Sequence, residues 1–285
     1  MTMIAPSDED RATTNGASPT VGASRTARTT GAAIRLAAPV GAVLGLLLLW
    51  EVATRVFQIR AIALPRPGRV MTAIAENPAF YASNTWVTLL EAGLGLVIGF
   101  IAAGIAASLM AHSSLVERLS WPGIIILQST PIVVLAPILL IWFGFGIVPK
   151  ALIVALFVFV PFTTNMLTGL RSVNRDLLNV ARSVDASRFE IYRTMRIPHA
   201  LADTFAAARI CVSLSLVGAV ISEFYGGSTS GLGYQFRRAL ASIDPEIAWG
   251  CIVILAGFGI VGTFAVLALE ARVLHWHPAY RKDNQ

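Results

Sequence analysis

Residues 180–198 read VARSVDASRFEIYRTMRIP. This mixed basic and apolar segment lies between long apolar runs, in a chain that is 55% hydrophobic and only 13% charged. The mean hydropathy of +0.69 argues against a soluble fold. Several runs reach the roughly 20 apolar residues that cross a hydrocarbon core of about 30 Å. The segment therefore reads as a polar loop between membrane helices, and the fold class as all-α integral membrane.

Working outward, about six transmembrane helices are expected: 36–56, 86–110, 120–143, 148–170, 201–222 and 247–269. Residues 1–30, rich in Thr, Ser, Ala, Gly and Asp, lack the apolar surface to order themselves and read as a disordered cytoplasmic tail. Residues 31–285 read as the membrane domain, with a loop at 171–200. The first apolar run starts only after Arg35, so no signal peptide is expected. Residues 64–77, LPRPGRVMTAIAEN, read as an amphipathic helix on the membrane surface. Asp244, Pro245 and Glu246 are a cap, a first-turn proline and a dipole-matched acid for the last span.

Orientation follows from Arg and Lys. With the N-terminus cytoplasmic, about fourteen basic residues fall inside and six outside, a positive-inside bias that puts both termini and the loop 171–200 in the cytoplasm. The net charge of +6 needs no nucleic-acid partner, because no basic–aromatic motif accompanies it. Cys211 and Cys251 fall inside expected spans and read as small hydrophobes. His275 and His277 flank Trp276 without a nearby Cys, Asp or Glu cluster, so interfacial side chains are expected rather than a metal site. No phosphate-binding GxxxxGK[ST] loop is present, and no cofactor is expected.

Gly95 and Gly99 form a small-xxx-small face that lets helices approach closely. The third span carries Gln128, Ser129, Thr130 and Pro131, with a second proline at 137. Two readings stay open there: a proline kink in a packed bundle, or irregular backbone lining a cavity. Glu51 and Glu91 lie near the outer ends of their spans, where they are expected to reach water.

The loop itself reads as two short helices around a turn. Asn174 caps the first, and Leu177, Ala181 and Val184 share one face. Asp185 interrupts. Ser187–Glu190 has the S-x-x-E form of a capping box that starts the second helix. Phe189, Tyr192 and Met195 follow at a spacing of three, and Pro198 is expected to mark the boundary before the next span. Composition leaves open a docking surface or a loop packed on its own bundle against anionic lipid.

Residues 179–198 resemble the EAA signature of ABC-importer permeases: E-A-A, three residues, G, nine residues, I-x-L-P. Asn179-Val180-Ala181 stand at E-A-A, Asp185 at G, and Met195 to Pro198 at I-x-L-P. The segments LIWFGFGIVPK, LTGLRSVNRDLL, LVGAVISEF and SGLGY look like the nitrate, sulfonate and taurine branch. TLLEAGLG and LVGAVISEF also look like the branch for pyrimidine thiamine precursors. Asn179 and Asp185 depart from the usual Glu and Gly. An aspartate at that glycine position costs more than glycine wherever φ is positive.

The resemblance implies a coupling-helix knob docked on a cytoplasmic ABC ATPase dimer, formed by Ala181, Asp185, Ala186, Ser187, Phe189, Tyr192 and Pro198. It implies a second copy of the permease, an extracytoplasmic solute-binding protein and a bacterial inner membrane. Gly231, Leu232, Gly233 and Tyr234 would meet the binding protein. Gln128, Ser129, Thr130, Pro131, Ser222 and Glu223 would form the path or gate, although Glu223 also fits a surface-level carboxylate. The expected function is import of a small organic or anionic solute, sulfonate-like, nitrate-like, taurine-like or pyrimidine-like, with no catalysis by the chain itself. The alternatives are a carrier driven by an ion gradient, which needs buried carboxylates or unwound half-helices, and a membrane enzyme, for which no catalytic grouping falls at one depth.

Overall fold

A computed structural model of the protein describes residues 25–225 and 228–275, with side chains from 41 onward. Among the described residues every regular element is helical. The described residues divide into one compact unit up to Val52 and a second from Ala53. Helix α1 (Arg25–Val56) contains the expected first span and begins within the expected tail, whose residues 1–24 lie outside the described residues. Gly226, Gly227, Trp276 and His277 also lie outside them.

In the second unit, four helices are long and apolar enough to cross a membrane, or five spans if one bent pair counts as one. These are α3 (Pro78–His112), α6 (Ile147–Arg171), α9 (Ile197–Tyr225) and α11 (Pro245–Val273). Each contains an expected span. Helix α6 is central, with α3 and α9 packed against it. The small-xxx-small face makes the first contact: a Cβ on Gly95 would lie 2.6 Å from the Ala151 carbonyl, and one on Gly99 2.9 Å from that of Ala155. Only hydrogen fits there, so the two backbones touch and gain packing that lipid cannot replace. Cys211 and Cys251 are free and buried, as small hydrophobes are.

The third span departs from a straight helix. It is α4 (Ser114–Ser129) followed by α5 (Ile132–Phe143), bent by 102°. Proline at 131 drives its predecessor to extended backbone, and Thr130 sits at φ −85°, ψ 124°. The Thr130 backbone N–H and hydroxyl both donate to the Ile126 carbonyl, at 2.9 and 2.8 Å, which closes the end of α4. Pro137 lies inside α5 without ending it.

The amphipathic segment before α3 forms α2 (Pro67–Glu76). The last span starts as expected: Asp244 accepts from the Ile247 N–H at 3.1 Å, with Pro245 in the first turn. The loop 171–200 folds as α7 (Arg175–Ser183), a turn, α8 (Arg188–Ile191) and a π-helical turn at Tyr192–Arg196 that leads into α9. Pro198 is therefore not a boundary, because the chain runs helically through it. Proline removes one N–H and crowds the preceding turn. The wider π turn precedes it, with Ile197 N–H donating to the Tyr192 carbonyl.

Candidate functional site

The loop 171–200 builds a self-contained knob. Asn174 Oδ1 accepts from the Asp176 N–H at 2.9 Å and starts α7. The helix ends in two reverse bonds, Asp185 N–H to the Arg182 carbonyl and Ala186 N–H to the Ala181 carbonyl, both 3.1 Å. This is a Schellman closure, which calls for a left-handed residue just past the cap. Asp185 occupies that position with φ +54°. The next helix opens with a complete capping box: Ser187 N–H donates to Glu190 Oε2 at 2.7 Å, and Glu190 N–H to Ser187 Oγ at 3.2 Å.

The knob presents an apolar edge to solvent. Leu177, Val180 and Val184 are exposed at helical spacing on α7 and its cap, and Phe189 on α8 is 69% exposed. Of the residues expected on a docking surface, Asp185, Ser187 and Phe189 are exposed, whereas Ala181, Ala186 and Pro198 are half-buried. Tyr192 turns the other way. Its hydroxyl hydrogen-bonds Ser108 Oγ of α3 at 2.6 Å, and its ring lies 4.6 Å from that of His112. Tyr192 tethers the knob to the bundle. Leu177 and Val180 complete the edge but were not expected in a site; the i, i+3, i+7 spacing of 177, 180 and 184 was the available signal.

At the far ends of α6 and α9 a second, buried constellation assembles. Helix α10 (Leu232–Ser242) begins there, and the first amides of a helix have no partners within it. Two other helices supply them. Gly231 N–H donates to Asn84 Oδ1 at 2.9 Å and Leu232 N–H to Thr88 Oγ1 at 2.8 Å. Gly233 and Tyr234 N–H donate to Glu223 Oε2 at 2.5 and 3.1 Å. Thr88 in turn donates to Glu223 Oε1 at 2.6 Å. A carboxylate at a helix N-terminus also meets the positive end of the dipole.

Glu223 is fully buried, so the surface-level alternative for it does not hold. Gly231, at φ +106°, packs its Cα against the Glu223 carboxylate, where any side chain would collide. Gly231, Leu232 and Gly233 are buried and Tyr234 half-buried, while Arg237, Arg238, Leu240, Ala241 and Ser242 of the same helix are exposed. The SGLGY stretch is the seat of this cap.

Beside it, Lys150 Nζ bonds Glu91 Oε1 at 2.7 Å and Ser228 Oγ at 2.6 Å, and Ser228 donates to the Ser230 carbonyl at 2.8 Å. Glu91 is 2% exposed, so it does not reach water as expected: it pairs with an equally buried lysine. Ser222 is buried, with Oγ 3.5 Å from Glu91 Oε2. Asn84, Thr88 and Glu91 were not expected in a site, although they form a polar stripe at helical spacing in an apolar run.

Gln128, Ser129 and Pro131 lie exposed at the α4–α5 break, with Thr130 half-buried beside them. They are remote in sequence from the Glu223 cluster, and no hydrogen bond among the described residues joins the two. A cavity of about 610 Å³ between α9 and α11 is apolar apart from Ser213 and Thr263, and none of the expected path residues lines it. No group of three or more metal-ligating side chains occurs among the described residues.

Comparison with known proteins shows the family. Residues 95–275 match the family model described as binding-protein-dependent transport system inner membrane component. The chain is 30% identical over 232 residues to the formylaminopyrimidine transport permease protein ThiX of Halalkalibacterium halodurans, covering 81% of this chain and 92% of that one. It is 31% identical over 237 residues to the riboflavin transport system permease protein RibX of Chloroflexus aurantiacus, covering 81% and 87%. It is 26% identical over 245 residues to the taurine transport system permease protein TauC of Escherichia coli, covering 84% and 89%. A multi-pass helical bundle with this family match over most of its length has one reading: the chain belongs to the inner-membrane components of binding-protein-dependent transport systems, the permeases of ABC importers.

Proposed function

We propose that this permease carries a small organic or anionic solute across a bacterial inner membrane, with both termini cytoplasmic, powered by a separate ATPase dimer that docks on the knob at 171–200. The observation that carries this reading is the exposed apolar edge of Leu177, Val180, Val184 and Phe189 on a knob that caps itself. A protein groove would cover this edge, and membership of this family implies an ATPase to supply it. ATP-driven closure of the ATPase pair would move the knob, and Tyr192 and the continuous helix from Arg188 to Tyr225 would pass that motion into the bundle.

Two copies of the chain would enclose the path. Gln128 to Pro131 lie exposed in one copy and would line it or its gate, with Ser222 and Glu223 setting the far end. An extracytoplasmic binding protein would meet the exposed side of α10, seated by Gly231 to Tyr234 behind it. Family membership sets aside the ion-gradient carrier: the buried carboxylates among the described residues face partners, Glu91 facing Lys150, Glu223 the α10 cap and Glu270 Arg209 at 3.6 Å. The named relatives handle a pyrimidine, riboflavin and taurine at similar identities, so the choice of solute would rest largely with the binding protein.

Two experiments test the reading. Co-expressed with the neighbouring ATPase gene product, tagged wild-type chain should retain the ATPase and Phe189→Asp, on the exposed edge, should lose it while still inserting in the membrane. Equal retention by both would remove the knob as the docking site. A thermal-shift screen of the neighbouring binding protein against alkanesulfonates, taurine, nitrate, aminopyrimidines and riboflavin should give one responding class, and no response from any of them would overturn the proposed substrate range.

A further inference from the structure

On the bundle side of the knob is a cavity of about 440 Å³ whose lining includes Arg182, Arg188, Arg196 and His112, with Leu178 and Tyr192. No carboxylate lines it. Glu117 and Glu190 are committed elsewhere, to Arg171 at 2.7 Å and to the Ser187 N–H at 2.7 Å, and Asp185, next to the lining Ala186, is exposed and not part of the lining. Arg196 reaches only the Ala111 carbonyl, at 3.4 Å, and Arg182 and Arg188 make no ion pair among the described residues. Three arginines thus line one concavity that no carboxylate lines, and none of them has an ion pair among the described residues.

Its depth identifies the occupant. His112 is the last residue of α3, and the apolar stretch of that helix ends at Met110, so the cavity lies where hydrocarbon gives way to headgroups. The arginines supply planar, forked donors suited to phosphate oxygens. Leu178, Ala111 and Ile191 supply apolar wall for the carbons that follow. Basic pockets at this level on membrane proteins take anionic headgroups.

We propose that this cavity binds the phosphate of an anionic phospholipid headgroup, which then braces the knob against α3. On α7 the lining residues Leu178 and Arg182 fall on a different helical face from Leu177, Val180 and Val184, although Ala186 and Tyr192 of the expected docking surface also line the cavity. The arginine variants therefore test this site and Phe189 tests docking, and the proposal rests on the headgroup level of this end of α3 rather than on which membrane face that end occupies.

The test is native mass spectrometry of the full-length chain in micelles doped with equal phosphatidylglycerol and phosphatidylcholine. The wild-type chain should retain phosphatidylglycerol over phosphatidylcholine by about fivefold or more, at roughly 1 kcal/mol per basic side chain. Arg182→Gln combined with Arg188→Gln should lose that preference. Arg182→Lys with Arg188→Lys should keep most of it, which separates lost charge from lost fold. Arg60→Gln with Arg66→Gln, the same charge loss at the far end, should keep all of it. Equal retention of the two lipids by the wild-type chain, or undiminished preference in the Gln pair, overturns the proposal. Release of the bound phosphatidylglycerol by millimolar inorganic phosphate would assign the cavity to a soluble anion and overturn the lipid assignment.

Discussion

Two helices in this permease start at opposite ends of the same bundle, and they start differently. Helix α8 in the knob is capped by its own residues, Ser187 and Glu190. Helix α10 is capped by Asn84 and Thr88 of α3 and Glu223 of α9, none of them its own. The first start needs nothing beyond a four-residue motif. The second exists only when α3 and α9 are already side by side. A local cap suits an element that must keep its shape while a partner pushes on it. A remote cap makes α10 a reporter of how the two long helices are placed, so any motion between α3 and α9 must be felt by α10 and by the loop that precedes it.

If that contrast is right, breaking the buried end should be far more damaging than breaking the knob. The largest effect is expected from Lys150→Ala. It strands the Glu91 carboxylate and the Ser228 hydroxyl in a buried site, and removing one partner of such a pair costs about 3–5 kcal/mol. Thermal melting of the purified chain in detergent should show a clear fall, with uptake lost. A variant that melts like the native chain would mean that the pair is solvated and that this end is not closed.

Glu223→Ala comes next. It leaves the N–H groups of Gly233 and Tyr234 and the Thr88 hydroxyl without their acceptor, at about 1–3 kcal/mol for each group that finds no water. Glu223→Gln keeps one acceptor oxygen and should recover much of the melting temperature. If Ala and Gln behave alike, the charge matters and the capping geometry does not.

The two ends also differ in how far they could be read from sequence. The knob was legible because its determinants are neighbours: Asn174, Asp185 and the Ser187–Glu190 box each act within a few residues. The long spans were legible from their apolar runs, and a close helix approach at Gly95 and Gly99 from their spacing, though not that α6 makes it. The clamp was not, because Thr88 and its partners Glu223 and Leu232 are 135 and 144 residues apart. A polar stripe on α3 says that something polar must be met, and only tertiary packing says what. The size of the α4–α5 bend was hidden for a similar reason. Pro131 announces a break, but its angle is set by what the two pieces pack against. At Pro198 the local rule failed, since a π turn absorbed the proline that was expected to end a helix.

At the knob, substitutions should separate binding from stability. Phe189→Ala removes the largest side chain of the apolar edge, itself exposed, so the melting temperature should hold. Affinity for the ATPase should fall about tenfold or more if Phe189 is an anchor of the interface. Titration of labelled chain with ATPase measures it, and unchanged affinity would move the anchor to Leu177, Val180 or Val184. Ser187→Ala is milder. Loss of a helix cap costs about 1 kcal/mol, and here it should appear as faster exchange of the Glu190 amide with little change in global melting. A global loss as large as that of Glu223→Ala would erase the distinction between the two ends.

The smallest and most diagnostic effect is expected at Asp185. Its φ of +54° is the conformation a Schellman closure demands, and it is the position where the signature of these permeases has glycine. Aspartate tolerates it better than most residues but at some cost. Asp185→Gly relieves that cost while adding freedom to the unfolded chain, and the two partly cancel. The net gain should be about 1 kcal/mol or less, read as slower exchange of the Ala186 amide, whose hydrogen bond to Ala181 closes the turn. Asp185→Val, a β-branched residue in left-handed backbone, should shift exchange the other way and by more. Because the apolar edge is carried by other residues, Asp185→Gly should leave ATPase affinity nearly unchanged. If glycine instead weakened docking, the aspartate carboxylate would be a contact to the ATPase, and this departure from the signature would be a matter of partner choice rather than of backbone shape.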